Sequence, residues 1–379
     1  MIVLPPLSLY IHIPWCVQKC PYCDFNSHAQ KGEIPEQAYL QHLLADLDQQ
    51  LSYVQGRELH SIFIGGGTPS LFSAESIAYL LQQIALRIPY REQIEITLEA
   101  NPGTAEAQRF LGYRQAGVTR LSMGVQSFHN PQLQLLGRIH NSDEAKRAVM
   151  FAQQAGFERF NLDLMHGLPN QTLDNALSDL QQAIELNPPH LSWYQLTIEP
   201  NTLFASKPPK LPDDDLLWEI FAAGHKKLTA AGYQQYETSA YAKAGFQCEH
   251  NLNYWRFGDY LAIGCGAHGK VTFPEGNILR YSQTKHPQGY LQGNYRYQQY
   301  EIAEKDRPFE FFMNRFRLLE PVAKQDFMQF TGLSLMTIEK QIDAAQKQDY
   351  IVEHREYWQI TEHGKLFLND LLTLFLSEE

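Results

Sequence analysis

The chain has 379 residues, 44% of them hydrophobic, and a formal net charge of −11. That composition suits a folded α/β chain with one large and one smaller domain, and its acidity opposes general binding to nucleic-acid backbones. Five cysteines is an odd number, and three of them fall within eight residues, which fits a metal in a reducing compartment better than a disulfide framework.

The first fifteen residues are apolar, but they contain Pro5, Pro6, His12 and Pro14 and no basic residue ahead of the apolar stretch, so they do not read as a signal peptide. No later run approaches the roughly 18 apolar residues of a spanning helix. A cytoplasmic protein with at most peripheral membrane contact is expected.

Six β-like runs follow in chain order: Ser8–Ile13, Ser61–Ile64, Ile94–Leu98, Arg120–Val125, Arg159–Met165 and His190–Ile198. Each precedes a stretch long enough for a helix. Between the first two, Leu40, Leu43, Leu44, Leu47, Leu51 and Val54 recur every three or four residues and predict an amphipathic helix over Tyr39–Val54. Alternation of this kind implies a parallel sheet with helices outside it, here an incomplete, TIM-like (β/α)6 barrel over residues 1–235. The polar residues just past the strand ends lie on the rim where such barrels place their chemistry.

Residues 236–300, dense in aromatics and glycines, read as a connection and partial lid. Residues 301–379 turn helical over Phe309–Leu319, Lys324–Thr331 and Ser334–Gln348, then give a hairpin over Ile351–Ile360 and a last helix from Glu362. That order predicts a small winged-helix-like α+β domain. Its third helix sets Lys340 and Lys347 against Glu339, Asp343 and Asp349, so it is read as a packing or protein-contact domain and not a DNA reader.

The motif Cys16-x3-Cys20-x2-Cys23 follows the first strand directly. Thiolates are soft ligands suited to iron–sulfur clusters, and three of them on a short loop leave one iron of a [4Fe-4S] cubane open to an amino and carboxylate chelate. The competing reading is structural zinc, with His12 or His28 as fourth ligand. Cys248 and Cys265 are isolated and read as small core residues.

This motif on the first strand of a six-unit β/α chain resembles the radical S-adenosylmethionine (SAM) superfamily. Gly65-Gly66-Gly67-Thr68-Pro69 after the second strand resembles its glycine motif. Leu98-Glu99-Ala100-Asn101-Pro102, Gly124-Val125-Gln126-Ser127, Leu136-Gly137-Arg138 and Asp163–Pro169 are similar to the branch that contains oxygen-independent coproporphyrinogen III oxidase. The resemblance implies that Tyr10, Gly66, Gly67, Thr68, Glu99, Gln126, Arg138 and Asp163 contact SAM. The competing readings are strand-end capping or charge pairing for Glu99 and Asp163, and surface hydrogen bonding for Gln126 and Arg138.

Two features depart from the oxidase. Phe25 stands where it carries a further cysteine, and the first strand begins at Ser8, without the long N-terminal arm that the oxidase lays over its substrate. A third, His250-Asn251-Leu252-Asn253-Tyr254-Trp255, resembles the signature of the family's heme-carrying members. The resemblance implies bound heme passed to acceptors such as respiratory-chain hemoproteins, with a heme donor protein upstream; oxidative decarboxylation of coproporphyrinogen III is the alternative. His250 is the expected iron ligand, with Asn251 beside it and Tyr254 and Trp255 offering aromatic surface. Against this, His250 and Asn251 can cap a turn while the aromatics pack a wall, and His268 is a competing ligand.

Overall fold

The computed structural model describes residues 3–104 and 107–376. The six expected strands are present: β1 (Leu7–Ile13), β2 (Leu59–Gly66), β3 (Tyr90–Ala100), β4 (Arg120–Gln126), β5 (Arg159–His166) and β6 (His190–Gln195). They lie side by side in sequence order, and every neighbouring pair is parallel. The first helix spans Glu36–Gln50 and runs on into a 3-10 turn over Leu51–Tyr53. Leu40, Leu43, Leu44 and Leu47 are buried on its inner face, where they join the apolar side of β1 and β2 in the main core.

Where the sequence reads as connection and lid, the chain extends the sheet. Strand β8 (Ala240–Ala242) adds antiparallel to β6, and β7 (Gln234–Glu237) pairs antiparallel with β8 at the edge. Strand β9 (Asp259–Ile263) returns to lie parallel on the free side of β1, and β10 (His268–Thr272), β11 (Ile278–Gln283) and β12 (Arg296–Glu301) continue antiparallel from it. The result is an open twelve-stranded sheet with β12 at one end and β7 at the other, and no closed barrel forms among the described residues.

A buried charge cluster fixes β9 in place. Asp259, fully enclosed, accepts hydrogen bonds from Lys270 Nζ (2.9 Å), Thr272 Oγ1 (2.8 Å), the Thr272 backbone N–H (2.8 Å) and Arg57 Nη1 (2.8 Å). Removing either partner of such a buried pair strands the other charge.

The C-terminal part has the expected order. Helices Arg307–Arg315, Lys324–Thr331 and Glu339–Lys347 pack on β14 (Ile351–Glu353) and β15 (Tyr357–Ile360), with β13 (Val322–Ala323) pairing β15 on its other side. Its core of Phe311, Phe312, Phe327 and Trp358 is continuous with Phe257, Ile278 and Ile302 of the preceding segment, so the domain is seated on the sheet extension.

Candidate functional site

The cysteine loop leaves the C-terminal end of β1 and is closed at its base. Trp15–Cys16 pairs with His28–Ala29, the His28 N–H donates to Pro14 O (2.7 Å), and the Gln30 N–H donates to Cys16 O (2.7 Å). All three thiols are free; Cys16 is buried, and Cys20 and Cys23 are partly exposed. Burial pushes the Cys16 thiol up, opposed by a hydrogen bond with Thr68. Among the described residues no three His, Cys, Asp or Glu side chains converge at single-ion spacing. A cubane asks for no such convergence, because each thiolate meets its own iron. His12, one of the two candidates for a fourth zinc ligand, has neither nitrogen to spare: Nε2 lies 2.9 Å from Asn26 O and must donate to it, and Nδ1 accepts from Tyr10 Oη at 2.9 Å.

The glycine loop after β2 packs on the root of this loop. The Gly67 N–H donates to Ile13 O (2.7 Å) and the Thr68 N–H to Trp15 O (2.8 Å). A Cβ on Gly67 would stand 2.6 Å from Trp15 O, and one on Gly66, at φ +119°, would stand 2.7 Å from the His12 ring. The glycines are therefore demanded first by the chain's own packing, Gly66 by β1 and Gly67 by the cysteine loop, before any cofactor arrives.

The remaining rim residues close a cavity of about 280 Å³ between the cysteine loop and the ends of β2 to β6. Cys16, Cys20 and Cys23 line it together with Gly66, Gly67, Thr68, Glu99, Gln126, Arg138 and Asp163. Glu99 Oε2 accepts from the Gly66 N–H (3.0 Å); burial, and then the Asp163 charge, push its pKa up to about 8. Asp163 is raised by burial as well, and it accepts from Asn161 Nδ2 at 2.7 Å. Gln126 sits at φ +69°, a strained value for a residue with a Cβ, and its Oε1 accepts from Tyr194 Oη at 2.9 Å.

Arg138 donates from Nη2 to Gly124 O (2.7 Å) and lies with Nη1 3.6 Å from Cys20 Sγ, while its buried Nε has no partner. A guanidinium that is anchored at one corner and unsatisfied at another is prepared for an anionic ligand. The thiol set, the unsatisfied donor and the glycine cradle fit a cluster with SAM beside it.

Tyr10 lies one wall away. With His12, His28, Tyr254, Tyr260, His268 and Lys285 it lines a second, more open cavity of about 620 Å³; Cys23, Phe25 and Ser27 line both. Phe25 is 66% exposed at this junction.

The HNxxYW signature does not gather at one place. His250, on the helix Glu249–Trp255, is fully buried: its Nδ1 bonds Ser61 Oγ (2.9 Å), its ring packs on Phe63 and Tyr254, and burial pushes its pKa down to about 3. Ser61 Oγ bonds Ser8 Oγ (2.8 Å), which accepts from Asn253 Nδ2 (2.9 Å), so His250 and Asn253 tie this helix to β1 and β2. Asn251 lines neither cavity. Trp255 packs with Tyr236 and Leu318 under the Arg317 guanidinium, 4.4 Å from its ring centre. Tyr254 alone of the four reaches the open cavity.

Sequence reasoning missed Asn26 and Tyr194. Asn26 holds the cysteine loop to the opposite wall by donating from Nδ2 to Cys265 O (2.9 Å) and Lys285 O (3.0 Å). Its position three residues past Cys23 was the available signal. Tyr194 sits at the C-terminal end of β6, the same rim that revealed the other residues.

Comparison with known proteins shows the family. The Radical SAM superfamily profile matches residues 10–183, and the HemN C-terminal domain profile matches residues 302–367. A Haemophilus influenzae protein named heme chaperone HemW is 71% identical over 99% of both chains, and its namesake in Escherichia coli is 65% identical over the full length of both. Among solved structures, coproporphyrinogen III oxidase (HemN) of Escherichia coli, a radical SAM enzyme, superposes with a TM-score of 0.83 over 98% of this chain and 90% of its own at 23% identity, a likeness of fold. The chain belongs to the radical SAM superfamily and, within it, to the family of proteins named heme chaperone HemW.

Proposed function

We propose that this chain is a heme chaperone that carries a [4Fe-4S] cluster on Cys16, Cys20 and Cys23, binds SAM in the closed cavity, holds heme, and delivers it to acceptor hemoproteins. The observation that carries the reading is the full-length identity, 71% and 65%, with proteins named heme chaperone HemW. The pair of adjoining cavities supports it, one closed over the thiols and the other open and lined by imidazole, phenol and ammonium groups.

When bound, the cluster supplies an open iron for the amino and carboxylate groups of SAM and an electron for its sulfonium centre. The chain's own residues do the rest. Arg138 offers its unsatisfied Nε to an anionic group, held in place through Gly124 O. Glu99 and Asp163 present carboxyl oxygens to hydroxyl or ammonium donors, and Gln126, fixed by Tyr194, keeps its amide N–H groups to offer. Gly66, Gly67 and Thr68 bring backbone close to the thiols, while Tyr10 and His12 line the neighbouring cavity and Cys23, Phe25 and Ser27 are shared by the two.

Acceptors of the respiratory chain and a separate heme donor complete the proposed route, which runs in the cytoplasm, where thiols stay reduced. No helix among the described residues is long and apolar enough to cross a membrane. Oxidation of coproporphyrinogen III has the likeness of fold on its side, and Phe25 replaces the oxidase's extra cysteine.

The test is heme transfer from anaerobically reconstituted protein to an apo-hemoprotein, with and without SAM, beside an assay with coproporphyrinogen III. Transfer without porphyrinogen turnover is expected. Steady protoporphyrinogen production with no transfer overturns the proposal.

A further inference from the structure

The open cavity contains three imidazoles, and their hydrogen bonds sort them. His12 uses both nitrogens, one on Asn26 O and the other on Tyr10 Oη. His28 donates from Nε2 to Lys285 O at 3.2 Å, which keeps only Nδ1 available, and its ring stands edge to face with His286, ring centres 5.9 Å apart. His268, the first residue of β10, is exposed in the cavity, and neither of its nitrogens has a partner among the described residues. Pairing with Ser282 of β11 fixes its backbone. Partial burial in the wall and the charges of Lys285 and Arg280 hold its pKa below the ordinary histidine value, so at neutral pH it presents a lone pair.

The surroundings suit a flat, dianionic, iron-bearing macrocycle. Tyr254 and Tyr260 stand edge to face with ring centres 4.2 Å apart and give the cavity an aromatic wall. Lys19 and Lys285, both exposed at its rim, supply cations for two carboxylates. The volume of about 620 Å³ lies within the usual range of ligand cavities. His250, by contrast, is sealed at 0% exposure behind Phe63 and Tyr254.

We infer that His268 is the side chain that ligates heme iron, with Tyr254 and Tyr260 as the aromatic wall and Lys285 at the carboxylate rim, while His250 is a core histidine that seats the helix carrying Tyr254. The inference rests on the heme-carrier reading and specifies its site. Because Cys23, Phe25 and Ser27 line both cavities, heme held there lies directly against the cluster loop.

Hemin titration of the full chain, followed by absorption and electron paramagnetic resonance, tests it. His268→Ala is expected to weaken binding by at least about ten-fold and to abolish the histidine-ligated spectrum. Imidazole added to the solution is expected to restore that spectrum, a rescue that a general loss of folding would not allow. His250→Ala is expected to keep the wild-type spectrum, and His250→Gln serves in its place if circular dichroism shows the alanine variant unfolded. An unchanged spectrum in His268→Ala overturns the assignment of the ligand while leaving the carrier reading intact. Wild-type protein that takes up no heme overturns both.

Discussion

The two cavities share a wall and differ in how they are built. In the closed one nearly every polar group is already held by another: Gly66 by Glu99, Gln126 by Tyr194, Arg138 by Gly124, Asp163 by Asn161. In the open one the walls come from the cysteine loop and from the segment between Tyr254 and Lys285, and an imidazole stands there without a partner. Preorganisation suits a resident group, because ordering the site costs nothing further when the group binds. A looser, more open site suits cargo that has to leave. Cys23, Phe25 and Ser27 line both cavities, so a resident cofactor and a released ligand lie within a few residues of each other, and only the far walls come from different elements, the strand ends on one side and the segment from Tyr254 to Lys285 on the other.

Removal of the cluster should separate the two cavities most clearly. Cys20→Ser should abolish iron incorporation and the reduced-cluster resonance and eliminate SAM binding, while hemin uptake persists, because Cys20 does not line the open cavity. Joint loss of both ligands in a variant with an unchanged melting curve would show that the cavities are one site. Next in size is Arg138→Lys. An ammonium keeps the charge but cannot donate to Gly124 O and to an anion in the same fork, so SAM affinity should fall by about 1.5–3 kcal/mol, roughly ten-fold or more, by calorimetry. An unaltered affinity would remove Arg138 from the site.

Much of the closed cavity was legible in the sequence, since alternation of strand and helix gives strand ends, and the residues just past those ends, Glu99, Gln126 and Asp163, carry the motifs. The open cavity was not. The five residues of β9 lie among aromatics and glycines, and their place beside β1 is set by Asp259 meeting Lys270 and Arg57, partners that no local period announces. The placement of His250 was hidden for the same reason. Its residue type suggests a ligand, but its burial is decided by Ser61, 189 residues earlier. Periodicity reports which face of an element is apolar, while the partners across the sheet decide which polar side chains are enclosed.

A pH-dependent effect comes from Glu99. Its carboxyl ionises near 4.5 in the unfolded chain and near 8 in the folded one, so between these values the folded state binds the extra proton. Its contribution to stability is therefore fully present below about pH 4.5 and is lost as pH rises through about 8. Glu99→Gln should remove that loss, so that its stability relative to the wild-type apoprotein rises by about 4 kcal/mol between pH 5 and pH 9, read from urea unfolding at each pH. A difference between the two proteins that stays constant with pH would show that Glu99 is ionised and paired throughout.

A modest loss of stability is expected at the hydroxyl that holds His250. Ser61→Ala takes the hydroxyl from between Ser8 and His250 and leaves His250 Nδ1 enclosed without a partner, alongside Nε2, which already has none. An unpaired buried imidazole nitrogen costs about 1–2 kcal/mol, so the denaturation midpoint should fall while the hemin spectrum and affinity stay at wild-type values. If His250 instead swings out to take heme iron, freeing it from Ser61 would lower the cost of that motion and tighten hemin binding. A variant less stable but equal in heme affinity assigns His250 to the core, whereas a gain in affinity assigns it to the cargo.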